Sequence, residues 1–401
     1  MLVDTAVIIV GAGPTGLMLA GELALGGVAV EVVERQTAPS GQSRGGGVNS
    51  RTAEVLAMRG LIDGVADQTI PRTNVGGHFA GLPVALDNGV AVTVRGPGST
   101  GCVGGIWLPV MAGTTPVTLP REAAVTTEEV ARALAAVHGP ETRLGRLRWG
   151  SRFSNASRQV SDYRVGRVLF AGDAAHIHSP IGGQGLNLGV QDAANLGWKL
   201  AAQIRGDAPE GLLDSYHSER HPVAARVIAT VRAQHVLMSP SPDADDVLAL
   251  RAIVIDLARL PDANRYLAGL MSGLDLRYDL GGSDPLVGTR MPDLELSTAG
   301  GTTTRVSTLL RSGHGLLLEL GHSIAADALL AGVDRVTARP AETAGSEILP
   351  GIGTDTGAAP GVDRILIRPD GYVRWVGADP QASPAAALER WFGAATVPLA
   401  D

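Results

Sequence analysis

The stretch Leu169–Lys199, LFAGDAAHIHSPIGGQGLNLGVQDAANLGWK, decides the fold. Val168, Leu169 and Phe170 read as a short buried strand that runs into Gly172-Asp173. Pro180, Gly182, Gly183, Gln184 and Gly185 then form a glycine-rich turn, and a long amphipathic helix starts. A helix that begins after glycines keeps its first N–H groups free and presents a positive partial charge to whatever lies in front of it.

The same device stands near the N-terminus in Val7–Ala20, VIIVGAGPTGLMLA. Ala6–Val10 is a continuous apolar run, as a parallel strand buried on both faces requires. Gly11, Gly13 and Gly16 follow with the spacing G-x-G-x-x-G. The first allows a tight turn, the second lets a phosphate approach the backbone, and the third lets helix and strand pack closely. Leu17, Leu19, Ala20 and Leu23 give the next helix an apolar face. A second strand, Val28–Val33, ends at Glu34, where a carboxylate can bond the ribose hydroxyls of an adenosine. An acid there disfavours a 2′-phosphate and suits FAD or NAD better than NADP. One chain thus carries two separate anion and ribose sites, the layout of a bound FAD.

Composition sets the limits. The chain has 401 residues, 45% of them apolar, and a net charge of −7. This length allows two to three domains and a large core. A net acidic chain without a basic stripe argues against nucleic acid. The one cysteine, Cys102, permits no intrachain disulfide and fits a reducing compartment. No basic leader with a cleavage site opens the chain, and no apolar run reaches the roughly 18 residues that span a bilayer. The expectation is a soluble, cytoplasmic protein. Lys199 is the only lysine among 33 basic residues, which reads as GC-rich codon usage.

Ser43–Leu61, SRGGGVNSRTAEVLAMRGL, places Arg44 in a glycine-rich loop. Asn49 or Ser50 caps a helix carrying Arg51, Glu54, Val55 and Met58, and Gly60 ends it. Arg44 and Arg51 are both candidates to reach a pyrophosphate.

With these motifs in hand, the chain resembles the FAD-dependent aromatic hydroxylases, the class A flavoprotein monooxygenases, and within them the aromatic-polyketide hydroxylases. VIIVGAGPTGLMLAGELA, RGGGVNSRTAEVLAMRGL, YRVGRVLFAGDAAHIHSPIGGQGLNLGVQDAANLGWKLA and LLDSYHSERHPVA carry the resemblance, together with SGLDLRYDL, GTRMPDLEL and ILIRPDGYVRWV. It covers residues 1–75 and about 147–401. It implies that Asp173 binds the ribityl chain of FAD and that the turn after Pro180 lies beside the flavin ring. The cofactor-binding set is then Gly11, Gly13, Pro14, Thr15, Gly16, Glu34, Arg35, Arg44, Gly172, Asp173, Pro180, Gly183, Gln184, Gly185, Leu186 and Asn187. The positive helix end at Gly185–Asn187 favours negative charge on a reduced flavin. His176 and His178 read as packed, hydrogen-bonded side chains without a chemical role.

The resemblance also shows what is short. The middle region of the family roofs the substrate cavity and supplies an Asp-Gly motif used for FAD and NADPH. Here residues 76–146 stand in its place, about a hundred fewer than the family carries, and no Asp-Gly followed by Arg and a helix occurs among them. HFAGLPVAL reads as a strand pair, NGVAVTVRG and GGIWLPV as further strands, and PREAAVTTEEVARALAAVHG as a helix capped by Thr126 or Thr127. A reduced roof exposes the flavin to water, and a flavin hydroperoxide needs protection from water.

Residues 208–232 read as a turn and helix, and Val247–Leu270 as a helical linker. Short strands follow at Leu316–Leu320, Ile365–Arg368 and Tyr372–Val376, with Asp370-Gly371 as a hairpin turn, then a helix at Pro384–Phe392. In the family this tail resembles a thioredoxin fold; without cysteine it has no dithiol chemistry, and its expected role is structural or in subunit contact.

The expected fold is α/β. A Rossmann-like FAD-binding domain spans 1–75 and 147–235, with a truncated middle sheet at 76–146, a helical linker at 236–284 and a thioredoxin-like C-terminal domain at 285–401. The expected function is an FAD-dependent monooxygenase that uses NADPH or NADH and O2 to hydroxylate an aromatic polyketide or related phenolic through a flavin hydroperoxide. The chemistry is borne by the flavin, with no metal and no protein nucleophile. A homodimer is the expected assembly. Two alternatives stand beside it: a cyclase-like pathway enzyme that uses FAD as a scaffold, and a degenerate flavoprotein homologue.

Overall fold

The computed structural model describes residues 6–38, 47–62, 64, 69–72, 77–80, 82–84, 91–94, 123–147, 150, 156–238, 244–282, 284–298, 300–320, 332–340, 362–377 and 383–393. Strand β1 (Val7–Val10) pairs in parallel with β2 (Val30–Val33), and α1 (Pro14–Leu25) crosses between them. Gly11 takes φ +114°, and a Cβ on Gly16 would sit 2.0 Å from the Gly11 carbonyl oxygen, so the turn needs both glycines. The apolar run of β1 predicts burial on both faces, but only Ile9 is buried; Ile8 is 62% and Val10 86% exposed. Among the described residues β2 is the sole strand paired with β1.

Helix α2 (Ser50–Ala57) is capped by Asn49, whose side chain accepts from Thr52 N–H. In the middle region β3 (Thr69–Arg72) pairs antiparallel with β6 (Ala91–Val94), and β4 (Gly77–Phe79) with β5 (Leu82–Val84) around Ala80. These are the HFAGLPVAL hairpin and the NGVAVTVRG strand, and α3 (Thr127–His138) is capped by Thr126, one of the two candidates that its sequence offers. The GGIWLPV strand and Cys102 lie outside the described residues.

Four strands of two residues each follow: β7 (Arg158–Gln159), β8 (Arg164–Val165), β9 (Val168–Leu169) and β10 (His176–Ile177). β9 pairs only with β8, and Val168 is exposed, so the strand before Gly172 is shorter and less buried than its sequence predicts. Helix α4 (Gln184–Arg205) is the axis of the molecule: every residue from Asn187 to Lys199 is buried. Its glycines let α1 approach. A Cβ on Gly189 would meet Thr15 Oγ1 at 2.3 Å, and one on Gly197 would meet Glu22 Cβ at 2.3 Å. The amphipathic pattern of α4 predicts a solvent face; instead its polar stripe is buried.

Helix α5 (Ser215–Met238) contains Pro222. The predicted linker helix is two helices, α6 (Ala244–Ala258) and α7 (Pro261–Ser272), because Pro261 occupies the first turn of the second. The C-terminal part comprises β11 (Glu295–Thr298), β12 (Thr303–Arg305), the short α8 (Val306–Leu309), β13 (Gly315–Leu320), β14 (Val333–Pro340), β15 (Arg364–Ile367), β16 (Val373–Gly377) and α9 (Ala385–Phe392). Its sheet runs β12-β11-β14-β13-β15-β16, with β13 and β14 parallel and the other pairs antiparallel. A parallel pair flanked by an antiparallel hairpin and a final helix is the thioredoxin-like arrangement. One apolar cluster runs through both parts, from Ile9 and Leu23 through Leu196 to Leu296, Leu316 and Ile365.

Gly197→Ala should lower the unfolding free energy in urea by about 1–3 kcal/mol, the usual cost of overpacking. Gly21→Ala on the open face of α1 should be neutral or stabilise by up to about 1 kcal/mol. Equal effects for the two variants would contradict the close α1–α4 contact.

Candidate functional site

The first turn of α1 meets the second turn of α4 and the Gly172-Asp173 turn at Thr15. The N-cap of α1 is Gly13 and that of α4 is Gly183, and neither end receives a side-chain cap. Thr15, in the first turn of α1, packs against both Gly172 and Gly189; a Cβ on Gly172, at φ +59°, would sit 2.7 Å from Thr15 Oγ1. The glycine loop, the Gly172-Asp173 turn and α4 are therefore brought together. Each end leaves backbone N–H groups to pair with an anion.

Gly13 and Pro14 are exposed, and Gly11, Thr15 and Gly16 half-buried. Glu34 is exposed and folds back on the glycine loop: its carboxylate accepts from Ala12 N–H at 3.0 Å and Gln36 N–H at 3.0 Å. The Ala12 bond, and then the Gln36 bond, hold its carboxyl below the usual range. Arg35 beside it is exposed. Asp173 points to solvent from a 3-10 turn at Gly172–Ala174. Pro180 opens a second such turn, Ile181–Gly183, whose Gly182 and Gly183 both have positive φ. Gly185 and Leu186 are half-buried.

Gln184 and Asn187 spend their side chains inside the protein. Gln184 donates to Met271 O at 3.2 Å; Asn187 donates to Gly183 O at 2.8 Å and accepts from Asn49 N–H at 2.8 Å. Both side chains are thus engaged within the protein. Arg44 lies outside the described residues. Arg51 turns away from the glycine loop: it is buried, donates to Glu54 and to the Asp370 carbonyl, and stacks on Tyr372.

Beneath the site lies a buried carboxylate. Asp192 accepts from Gly172 N–H at 3.1 Å, from His176 Nε2 at 2.6 Å and from Arg220 Nε at 2.8 Å. Burial pushes its carboxyl up, but Arg220 and then His176 hold it below the usual range. Thus His176 acts through packing and hydrogen bonding. A second cluster sits a turn further along α4. Lys199 donates to Asn195 and Glu219, each at 2.9 Å. Burial pulls its pKa down to about 8 against the attraction of Glu219. Burial pushes Glu219 up, yet Arg368 and Lys199 together hold it well below the carboxylate range.

Sequence reasoning missed Asp192, Arg220, Asn195, Lys199 and Glu219 as parts of the frame. The available signal was a run of polar residues spaced by four, Asn187, Gln191, Asn195 and Lys199, with Asp192 beside it, separated by small and apolar residues. A crevice between α2, α4, α5 and α7, lined among others by Asn49, Gln184, Gln191, Val227, Leu270 and Asp275, measures about 40 Å³. That is room for about one water, whereas a drug-sized ligand needs roughly 300 Å³ or more.

A glycine-loop helix, a second uncapped helix end and an exposed aspartate beside it define a dinucleotide-binding flavoprotein fold. Comparison with known families agrees: an FAD binding domain profile matches residues 4–103 and 106–231, and an aromatic-ring hydroxylase C-terminal profile matches 284–395. The chain belongs to the FAD-dependent aromatic-ring hydroxylases, an oxidoreductase family. It is 36% identical to the 12-dehydrotetracycline 5-monooxygenase/anhydrotetracycline 6-monooxygenase of Streptomyces rimosus over 509 aligned positions, 96% of this chain and 98% of the relative. The structure of CabE, an aromatic hydroxylase from angucycline biosynthesis, superposes with a TM-score of 0.82 at 33% identity, covering 98% of this chain and 100% of CabE. The Diels-Alderase PyrE3 of pyrroindomycin biosynthesis gives 0.76 at 31% identity, covering 96% and 99%.

The family match extends further than the resemblance predicts, since residues 76–103 and 106–146 belong to it as well. The shortening is still present. An alignment of 509 positions with a chain of 401 residues leaves more than a hundred residues of the relative without a counterpart here.

Because Asp192 and Glu219 have lowered values in the fold, their stabilisation is complete above the ordinary carboxylate pKa of about 4 and is lost as pH falls through the depressed values. Melting temperature should therefore drop on acidification below about pH 4. Asp192→Asn should flatten that dependence and cost about 3–5 kcal/mol at neutral pH by stranding Arg220. A variant as stable as the parent would remove Asp192 from the frame.

Proposed function

We propose that this protein is an FAD-dependent monooxygenase that takes electrons from NADPH or NADH and uses O2 to hydroxylate an aromatic polyketide or a related phenolic, and that it works in the cytoplasm. The observation that carries the reading is the packing of the glycine-loop helix α1 through Thr15 on the Gly172-Asp173 turn and on α4, two helices without side-chain N-caps, within a chain of the aromatic-ring hydroxylase family. The likeness to a 12-dehydrotetracycline 5-monooxygenase/anhydrotetracycline 6-monooxygenase over 98% of that relative supports the substrate class. Among the described residues no helix is long and apolar enough to cross a membrane.

The residues fit FAD. The N–H groups at the start of α1 and the Gly11–Gly16 loop would receive the pyrophosphate, with Glu34 and Arg35 toward the adenosine. Asp173 would accept from ribityl hydroxyls, and Gly183–Asn187 would present backbone N–H groups to the flavin ring. Bound there, the flavin supplies the hydride and oxygen chemistry. The protein's own work is to orient it, to place the positive end of α4 where negative charge grows, and to exclude water. Asp192 keeps the Gly172 N–H, and so Asp173, in register with α4.

A second reading, a pathway enzyme that uses FAD as a scaffold, is supported by the likeness to a Diels-Alderase and by the shortened middle region. The two separate in one experiment. Anaerobic NADPH, with a phenolic polyketide present, should bleach the visible flavin band, and aerobic turnover should add one oxygen to the ring. A band that persists would select the scaffold reading. Asp173→Ala should weaken FAD binding by roughly 10- to 100-fold, as loss of a charged hydrogen-bond acceptor does, in equilibrium dialysis. Unchanged affinity would remove Asp173 from the site.

A further inference from the structure

The turn between β15 and β16, Arg368-Pro369-Asp370-Gly371-Tyr372, reaches into the frame of the cofactor site with every residue. Arg368 is wholly buried and donates to both Glu219 oxygens, at 2.8 and 2.7 Å, and to the Asp370 carboxylate. Its guanidinium lies 4.7 Å from the ring centre of Trp391, 5.3 Å from Trp198 and 5.5 Å from Tyr278. The Pro369 carbonyl accepts from Arg59 at 2.9 Å, and the Asp370 carbonyl from Arg51 at 2.7 Å. The Asp370 carboxylate also accepts from Asn195 of α4 at 3.1 Å. Gly371, at φ +80°, lets Met58 come so close that a Cβ would lie 2.7 Å from its sulfur. The Tyr372 ring stacks under Arg51 at 4.7 Å and against Tyr278 at 4.3 Å. Tyr278 in turn accepts from Arg220, the partner of Asp192.

The path from this turn to Gly172 is therefore continuous and buried: Tyr372, Tyr278, Arg220, Asp192, Gly172 N–H. A second path runs from Asp370 and Arg368 to Asn195 and Glu219, and so to α4 and α5. With the turn in place, Arg368 and Lys199 face Glu219 and Asp370, and the buried charges balance. Withdrawing it strips Arg51 of a carbonyl and a ring and leaves Tyr278 without its stacking partner, each a costly loss in a buried setting.

We propose that the Arg368–Tyr372 turn is a positioning element of the cofactor site, so that FAD occupancy and docking of the C-terminal sheet form one linked equilibrium. The proposal rests on FAD lying at Asp173 and the α4 N-terminus. Linkage is reciprocal: if docking raises the affinity for FAD, FAD must tighten docking by the same factor. The C-terminal sheet then has a role beyond structural mass or subunit contact.

The chain carries its own reporter. Lys199 is the only lysine and is fully buried behind Arg368, so its amine becomes reactive only when this region opens. Acylation of Lys199 by an amine reagent, followed by peptide mass spectrometry, measures that opening at low urea, where opening is local. FAD should slow the acylation roughly tenfold, in the range of ordinary coupling free energies. Tyr372→Phe keeps the ring and should keep both the FAD affinity and the protection. Tyr372→Ala should weaken FAD roughly tenfold or more and speed the acylation. An acylation rate indifferent to FAD overturns the proposal, as does Tyr372→Ala with parental affinity. If Tyr372→Ala does not fold, the parental protein with and without FAD decides. Asp173→Ala separates the two ideas: loss of FAD with Lys199 acylated at the rate of the FAD-free parent upholds both the site and the linkage, whereas parental FAD affinity overturns the site at Asp173 and leaves the FAD dependence of the acylation to decide the linkage by itself.

Discussion

The carboxylate of Asp192 holds the molecule's functional centre in place. It is buried, and it accepts from the Gly172 N–H, from His176 and from Arg220. Each of those partners belongs to a different piece of chain: the Gly-Asp turn, the short strand after it, and α5. An ionised group so deep is tolerated because its donors satisfy it, and each donor is fixed in return. Without this constraint Gly172 and Asp173 would be a flexible turn at the end of a two-residue strand. With it, they keep a set position against α4 and Thr15.

The frame around Asp192 is built for close approach. Gly172, Gly189 and Gly197 lack the side chains that would hold α1, α4 and the Gly-Asp turn apart. The space they free is taken by backbone and by Thr15 and Glu22. The C-terminal sheet closes the frame from the other side through Arg368 and Asp370, and it shares one apolar core with the dinucleotide-binding part. The weak place is the middle. There, among the described residues, β1 pairs with β2 alone, and Ile8, Val10 and Val168 are exposed, although their sequence is that of strands buried on both faces.

The local elements were legible in the sequence. The glycine loop, the Asn49 and Thr126 caps, the hairpin turning at Ala80 and the β15–β16 hairpin all follow from short-range rules that the residues state directly. The pairing of charges was not legible. Arg51 stands in a glycine-rich neighbourhood and reads as a phosphate ligand, yet it faces a turn more than three hundred residues later in the chain. Lys199 reads as an accident of codon usage, yet it lies in the most heavily charged part of the interior. Asn187, Gln191, Asn195 and Lys199 form a polar stripe that periodicity assigns to water, because periodicity cannot tell solvent from a buried polar partner. Long-range ionic contacts have no local signature, and here they build the frame.

The measurement that tests this account most directly is the flavin content of the purified protein after reconstitution with FAD, read from its visible absorption. The account predicts one FAD per chain, with a resolved, structured flavin band, since the two helix ends and the Asp192 frame are intact despite the short middle region. A protein that stays colourless in saturating FAD would contradict it and would show that the frame alone does not make the site.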